Sequence, residues 1–266
     1  VSQSYTPDPE HIRRWSDRHT GVGFDQLLVV APPEDPEVDF RYIIFNADGT
    51  EAEQCGNGAR CVARFVRDSG LSVKEQLRFQ TSNSHIETTL KDGGLVEVDM
   101  GVPGLAPETI PCKVEEALRQ VGEDSGARFE LAGADGEAHE LSVVSIGNPH
   151  GVLRIEEISE APVERIGASL TIHPFFPEQA NIGFCHVVDA GFIRLRVFER
   201  GVGETRACGT GACAAVVAGR LAGVLDERVK VSLPGGKVRI RWQGPDTPVK
   251  MTGPATMVYE GHLAVD

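Results

Sequence analysis

The sequence predicts an α+β protein of two pseudo-symmetric halves, each a mostly antiparallel sheet wrapped around a central buried helix. Three observations lead there. Short runs of branched and aromatic residues recur along the chain between turn signals, as in antiparallel sheets. Two helical stretches each follow directly on a glycine-rich cysteine loop. The loops are near copies, Cys55-Gly-Asn-Gly-Ala-Arg-Cys61 and Cys208-Gly-Thr-Gly-Ala-Cys213, which reads as an internal duplication.

In chain order, Ile12 and Trp15 among Arg13, Arg14, Asp17 and Arg18 predict a short amphipathic helix over 11–19, with Thr6-Pro7-Asp8-Pro9 as its start signal. Strands are expected over 27–30 and 39–45, then a turn at Asn46-Ala47-Asp48-Gly49. Val62, Phe65 and Val66 place a helix over 59–67, behind the first cysteine loop. Further strands are expected over 77–81, 85–90 and 95–100, then over 140–145, 152–155, 184–188 and 192–198. The stretch 212–222 is apolar on every side except at Arg220, the pattern of a helix enclosed all round. The proline-containing stretch 101–111 suggests a boundary, giving a first domain of 1–108 plus 254–266 and a second of 109–253. Two such domains facing each other would bring the cysteine loops to a cleft, a favoured place for a small-molecule site.

At 266 residues, 41% hydrophobic and 24% charged, the composition is that of a globular protein with a packed core. A net charge of −13 without an acidic tail disfavours nucleic acid as a partner. No stretch approaches the roughly 20 apolar residues of a membrane span, and the first ten residues do not read as an export signal. A soluble, cytoplasmic protein is therefore expected. Its six cysteines are then expected to be reduced thiols, to be explained by packing, metal binding or reactivity.

A cysteine in the first turn of a helix is expected to have a depressed pKa, because unpaired N–H groups and the helix dipole favour the thiolate. Cys55 and Cys208 both occupy that position. The same N–H groups, bared by Gly56, Gly58, Gly209 and Gly211, suit an anion such as a carboxylate. Moving a proton from one face of an α-carbon to the other needs two groups, each able to be acid or base. Paired thiols meet that requirement. His150, after Asn-Pro, reads as a supporting hydrogen-bonder, and Cys61 and Cys213 as core residues.

Four segments, Asn46-Ala-Asp-Gly-Thr-Glu-Ala-Glu-Gln-Cys55-Gly-Asn-Gly-Ala-Arg-Cys61, Gly147-Asn-Pro-His150, Asn181-Ile-Gly-Phe and Glu199-Arg-Gly-Val-Gly-Glu-Thr-Arg-Ala-Cys208-Gly-Thr-Gly-Ala-Cys213, resemble the signature segments of the diaminopimelate epimerase family. The likeness runs from the first helix to Met251-Thr-Gly-Pro-Ala. It implies interconversion of LL- and meso-diaminopimelate without cofactor or metal, in lysine and peptidoglycan precursor synthesis, with Cys55 and Cys208 as catalytic residues. It also implies substrate contacts from Gln26, Asn46, Asn148, Asn181, Glu199 and Arg200, and a carboxylate cradle from Gly56, Asn57, Gly209 and Thr210. Arg200 suits a distal carboxylate, and Glu199 and the asparagine carbonyls a distal ammonium. Members of the family usually begin with a strand containing His-Gly-x-Gly-Asn-Asp-Phe, and nothing like it precedes Val1. A first domain without that strand is expected to have an uncovered sheet edge and a site short of one asparagine.

A proline racemase or hydroxyproline epimerase shares the two-cysteine logic, but Arg200 and the asparagines favour a substrate with a second charged end. A non-catalytic protein binding a similar ligand is the reading from another class. Structural zinc is disfavoured by the long separations Cys55 to Cys61 and Cys208 to Cys213. A small-molecule substrate is the expected partner, and a homodimer is compatible with this reading.

Overall fold

In the computed structural model, residues 7–52, 56–82, 84–121 and 127–263 are described. The chain divides into two compact units, Val1–Val98 with Gly253–Asp266, and Asp99–Thr252. The proline-containing stretch 101–111 lies within the second.

The first unit opens with helix α1, Pro9–Ser16, shorter than the periodicity predicts and earlier in the chain. Asp8 caps it, accepting from the Glu10 N–H at 2.7 Å, and proline occupies the first turn, where its missing N–H costs nothing. The helix stops early because the Asp17 carboxylate captures the N–H groups of His19 and Thr20 at 2.8 and 2.7 Å. Strands β1 (Gln26–Ala31) and β2 (Phe40–Asn46) pair antiparallel, and the short β3 (Glu51–Ala52) returns along β2. Helix α2, Gly56–Asp68, then crosses to β4 (Gln76–Gln80), which lies parallel to β2. β5 (His85–Lys91) and β6 (Leu95–Asp99) complete an antiparallel meander. Among the described residues β1 pairs with β2 alone.

The second unit begins with β7 (Arg119–Gln120), β8 (Ala127–Ala132), β9 (Ala138–Ser145) and β10 (Pro149–Arg154), each antiparallel to the strand before it. Helix α3, Val163–Thr171, leads to β11 (Asn181–Asp189), parallel to β10. β12 (Phe192–Glu199) pairs with β11 and with the short β13 (Gly203–Thr205). Helix α4, Gly209–Leu221, crosses to β14 (Arg228–Leu233), parallel to β12, and β15 (Gly236–Arg241) and β16 (Lys250–Pro254) close the meander.

The duplication is plain in this topology. β1-β2-β3-α2-β4-β5-β6 and β11-β12-β13-α4-β14-β15-β16 have the same pairings in the same order, with the helix as the crossover between parallel strands each time. α4 is enclosed as expected: every residue of Ala212–Ala218 is buried, against β9, β10, β11, β12 and β15. α3 packs on β11 and β12, in a core where Phe175 meets Phe129 and Phe176 at 4.9 and 4.8 Å between ring centroids.

Gly167 lets α3 approach β12, since a Cβ there would stand 2.5 Å from the Phe198 Cβ. Gly167→Ala is therefore expected to destabilise the protein by about 1–3 kcal/mol despite alanine's better helix propensity. Urea unfolding measures it, and an unchanged or raised midpoint would contradict the close approach.

Candidate active site

Cys208 is the N-cap of α4, in extended conformation at φ −127° and ψ 108°. The strand β13 feeds the chain into this position, and Gly211 lets the first turn form close against the sulfur, since a Cβ there would stand 3.1 Å from Cys208 Sγ. The Gly211 N–H donates to Cys208 Sγ at 3.4 Å, and Thr210 Oγ1 lies 3.6 Å from the same sulfur. These are the thiolate-favouring contacts the sequence predicts, yet they do not win. Cys208 is buried, and desolvation pushes its pKa well up, with the Glu199 carboxylate pushing the same way. The expected depressed pKa is corrected on this point: in this state Cys208 is a thiol, because removing a thiolate from water costs more than one N–H and one hydroxyl return.

The Glu199 carboxylate lies near enough to the sulfur for its charge to favour the protonated thiol. It accepts a short hydrogen bond from Thr205 Oγ1, made possible because β12 and β13 pair with Glu199 opposite Gly203 and Val197 opposite Thr205. Thr205 is a residue that sequence reasoning passed over. It stands inside the segment Glu199–Cys213, but its contact with Glu199 is made by strand pairing, which spacing does not reveal.

Three strand ends gather the other polar residues of this unit. His150 of β10 is in register with Asn181 of β11, and Ile182 with Phe198, which sets Asn181 beside Glu199. Asn181 is buried, and its Oδ1 accepts from the Arg200 backbone N–H at 2.9 Å. The Arg200 guanidinium donates to the Glu178 carbonyl at 3.0 Å. His150 Nε2 is 3.0 Å from Asn148 Oδ1, so a neutral imidazole with its proton on Nε2 holds the amide in one orientation. Burial, with the positive charge of Arg200, lowers the His150 pKa to about 3. His150 thus stays neutral and orients Asn148, in keeping with a supporting part.

The first unit carries a counterpart built on the same plan. Gln26, the first residue of β1, is in register with Asn46, the last of β2, and Gln26 Nε2 donates to Asn46 Oδ1 at 3.3 Å. Asn46 Nδ2 donates in turn to Thr50 Oγ1 at 3.2 Å. These are the positions that Asn181 and Glu199 hold in the second unit. Gly56 and Asn57 form the first turn of α2, where Asn57 Oδ1 accepts from the Arg60 guanidinium at 3.0 Å. Cys55 lies outside the described residues.

The remaining cysteines divide by helix face. Cys213 is core, as expected. Cys61 is not: Ala59, Val62, Ala63 and Val66 form the buried stripe of α2, which leaves Cys61 and Phe65 exposed on its other side. Cys185 is buried and its pKa pushed up to about 12, while Cys112 is half-buried.

The sequence model described as diaminopimelate epimerase matches residues 2–106 and 142–258. A diaminopimelate epimerase of Pseudomonas paraeruginosa is 56% identical over 264 residues, 99% of this chain and 92% of that protein. One from Azotobacter vinelandii is 53% identical over 263 residues, again 99% and 92%. The structure of a hydroxyproline epimerase from Agrobacterium vitis superposes with a TM-score of 0.61 at 16% identity, covering 92% of this chain and 77% of that one, a likeness of fold.

Proposed function

The chain belongs to the diaminopimelate epimerase family, and from that premise we propose that it interconverts LL- and meso-diaminopimelate with Cys208 and Cys55 as acid and base. It is an isomerase acting on a small molecule. The observation that supports Cys208 most directly is its place: a buried cysteine at a helix start, accepting from the Gly211 N–H and kept protonated by burial and the nearby Glu199 carboxylate. A thiol that gives its proton to one face of the α-carbon becomes a thiolate, and the proton removed from the other face leaves the opposite cysteine as a thiol. Protons balance over the step, and the reaction as written uses neither cofactor nor metal. The reverse reaction exchanges the roles.

The N–H groups of Gly209 and Thr210, with those of Gly56 and Asn57, take the reacting carboxylate at the helix starts. As charge builds on the α-carbon, those fixed dipoles stabilise it. Glu199, which the resemblance gives to the distal ammonium, acts on the Cys208 sulfur, and we assign it as the local acceptor for the Cys208 proton when that residue must act as base. Arg200, Asn148 and Asn181, with Gln26 and Asn46, recognise the distal ammonium and carboxylate, and His150 keeps Asn148 in place.

Lysine at 200 would retain the charge but lose the planar fork that meets a carboxylate with two N–H donors. Arg200→Lys is expected to lower kcat/KM for diaminopimelate roughly tenfold or more, chiefly through KM. Equal kinetics for the two proteins would remove Arg200 from substrate recognition.

Incubating the enzyme with LL-diaminopimelate in D2O tests the whole reading. Deuterium at one α-carbon together with meso product supports it, and turnover of proline alone would overturn it. No described helix is long and apolar enough to cross a membrane. We place the enzyme in the cytoplasm, with no nucleic-acid or membrane partner, and a homodimer is compatible with that placement.

A further inference from the structure

The two faces of β13 make different contacts. On one, the Glu204 carboxylate receives two hydrogen bonds from Arg196 of β12, both at 2.7 Å. The same guanidinium reaches the carbonyls of Ile158 and Ala161, ahead of α3, at 3.3 Å each. This fork-to-fork ion pair fixes the strand against both its neighbour and the helix layer. On the opposite face, one residue along, Thr205 donates to Glu199, whose negative charge is felt at the Cys208 sulfur. Chain direction carries the strand from Thr205 to Cys208 within three residues.

We propose that Thr205 is a positioning residue for the reaction: its hydroxyl, anchored through the Arg196–Glu204 pair behind it, holds the Glu199 carboxylate in the orientation that receives and returns the Cys208 proton. A carboxylate accepts through two oxygens, and rotation about its side-chain bonds would otherwise present either one, or neither, to the sulfur. The Thr205 bond ties down one oxygen and leaves the other to Cys208. Such an arrangement acts on proton transfer and not on substrate recognition, so its loss is felt in kcat. The inference rests on the proposed role of Cys208 in epimerisation.

Thr205→Val preserves shape and strand propensity while removing the donor, and Thr205→Ser restores the donor without the methyl group. For wild type and both variants, kcat and KM for LL-diaminopimelate are measured across pH, beside urea unfolding. The valine variant is expected to lose roughly tenfold or more in kcat with KM held, and its pH profile is expected to shift. The serine variant should recover most of the rate. Valine kinetics equal to wild type, or losses in kcat and KM that merely follow a lowered unfolding midpoint and are not rescued by serine, would overturn the inference while leaving the epimerase reading intact. A wild type that does not epimerise diaminopimelate would take both down.

Discussion

Cys208→Ser is expected to lower epimerisation of LL-diaminopimelate by roughly 10²–10⁴-fold, the usual contribution of a positioned acid or base. The substitution isolates chemistry from folding. Serine is among the best N-cap residues, so its Oγ can take over the Gly211 N–H from the sulfur and α4 should start where it does now. What the hydroxyl lacks is an accessible ionised form, so it cannot act as base in one direction, and as acid it is a far weaker donor. The partner substitution Cys55→Ser is expected to match it, and the two losses should not add, because acid and base serve a single proton transfer. Steady-state kinetics with circular dichroism measures both. A Cys208→Ser enzyme within a few-fold of wild type would remove this sulfur from the reaction and, with it, the two-thiol mechanism.

Much of this arrangement is legible in the sequence wherever one segment carries its own signal. The run 212–222 shows a helix enclosed all round because no polar face is available to it, and α4 is buried along Ala212–Ala218. The repeated cysteine loops indicate the duplication, and the shared order of strands bears it out. Where a property depends on distant partners, the reading fails. A helix start argues for a thiolate at Cys208 only while the sulfur stays solvated, and in the folded protein it is buried. Cys61 looks like core because its neighbours do, but the buried stripe of α2 passes it by. α3 escapes sequence reading because its nine residues carry no side-chain cap, and because Gly167, its closest approach to β12, contributes no apolar side chain to the pattern. The hairpin β14–β15 is different: Val229, Val231 and Leu233 alternate before Gly235 and Gly236, and Val238 and Ile240 after them, a period-two signal that marks both strands in the sequence itself.

His150 makes stability depend on pH in a way that can be separated from every other group. Its pKa is about 3 in the folded protein against an ordinary 6.5, burial being the main cause and the charge of Arg200 the second. The unfolded chain therefore takes up a proton at this residue below pH 6.5 while the folded protein does not until about pH 3. The unfolded state binds more protons throughout that window, so stability falls as pH falls. Each unit below 6.5 costs about 1.4 kcal/mol, which amounts to about 2 kcal/mol at pH 5 and approaches about 5 kcal/mol toward the lower limit. His150→Gln keeps an amide donor for Asn148 and cannot titrate, so whatever it does to stability at pH 7, it should flatten the slope between pH 7 and pH 5 by about 2 kcal/mol relative to wild type. Other titrating groups act on both proteins and cancel in the difference. Urea unfolding at the two pH values measures it, and parallel slopes would show that His150 is protonated in the folded state. The consequence for the proposed site is direct: a neutral imidazole holds the Asn148 amide in one orientation throughout that window, as its supporting part requires.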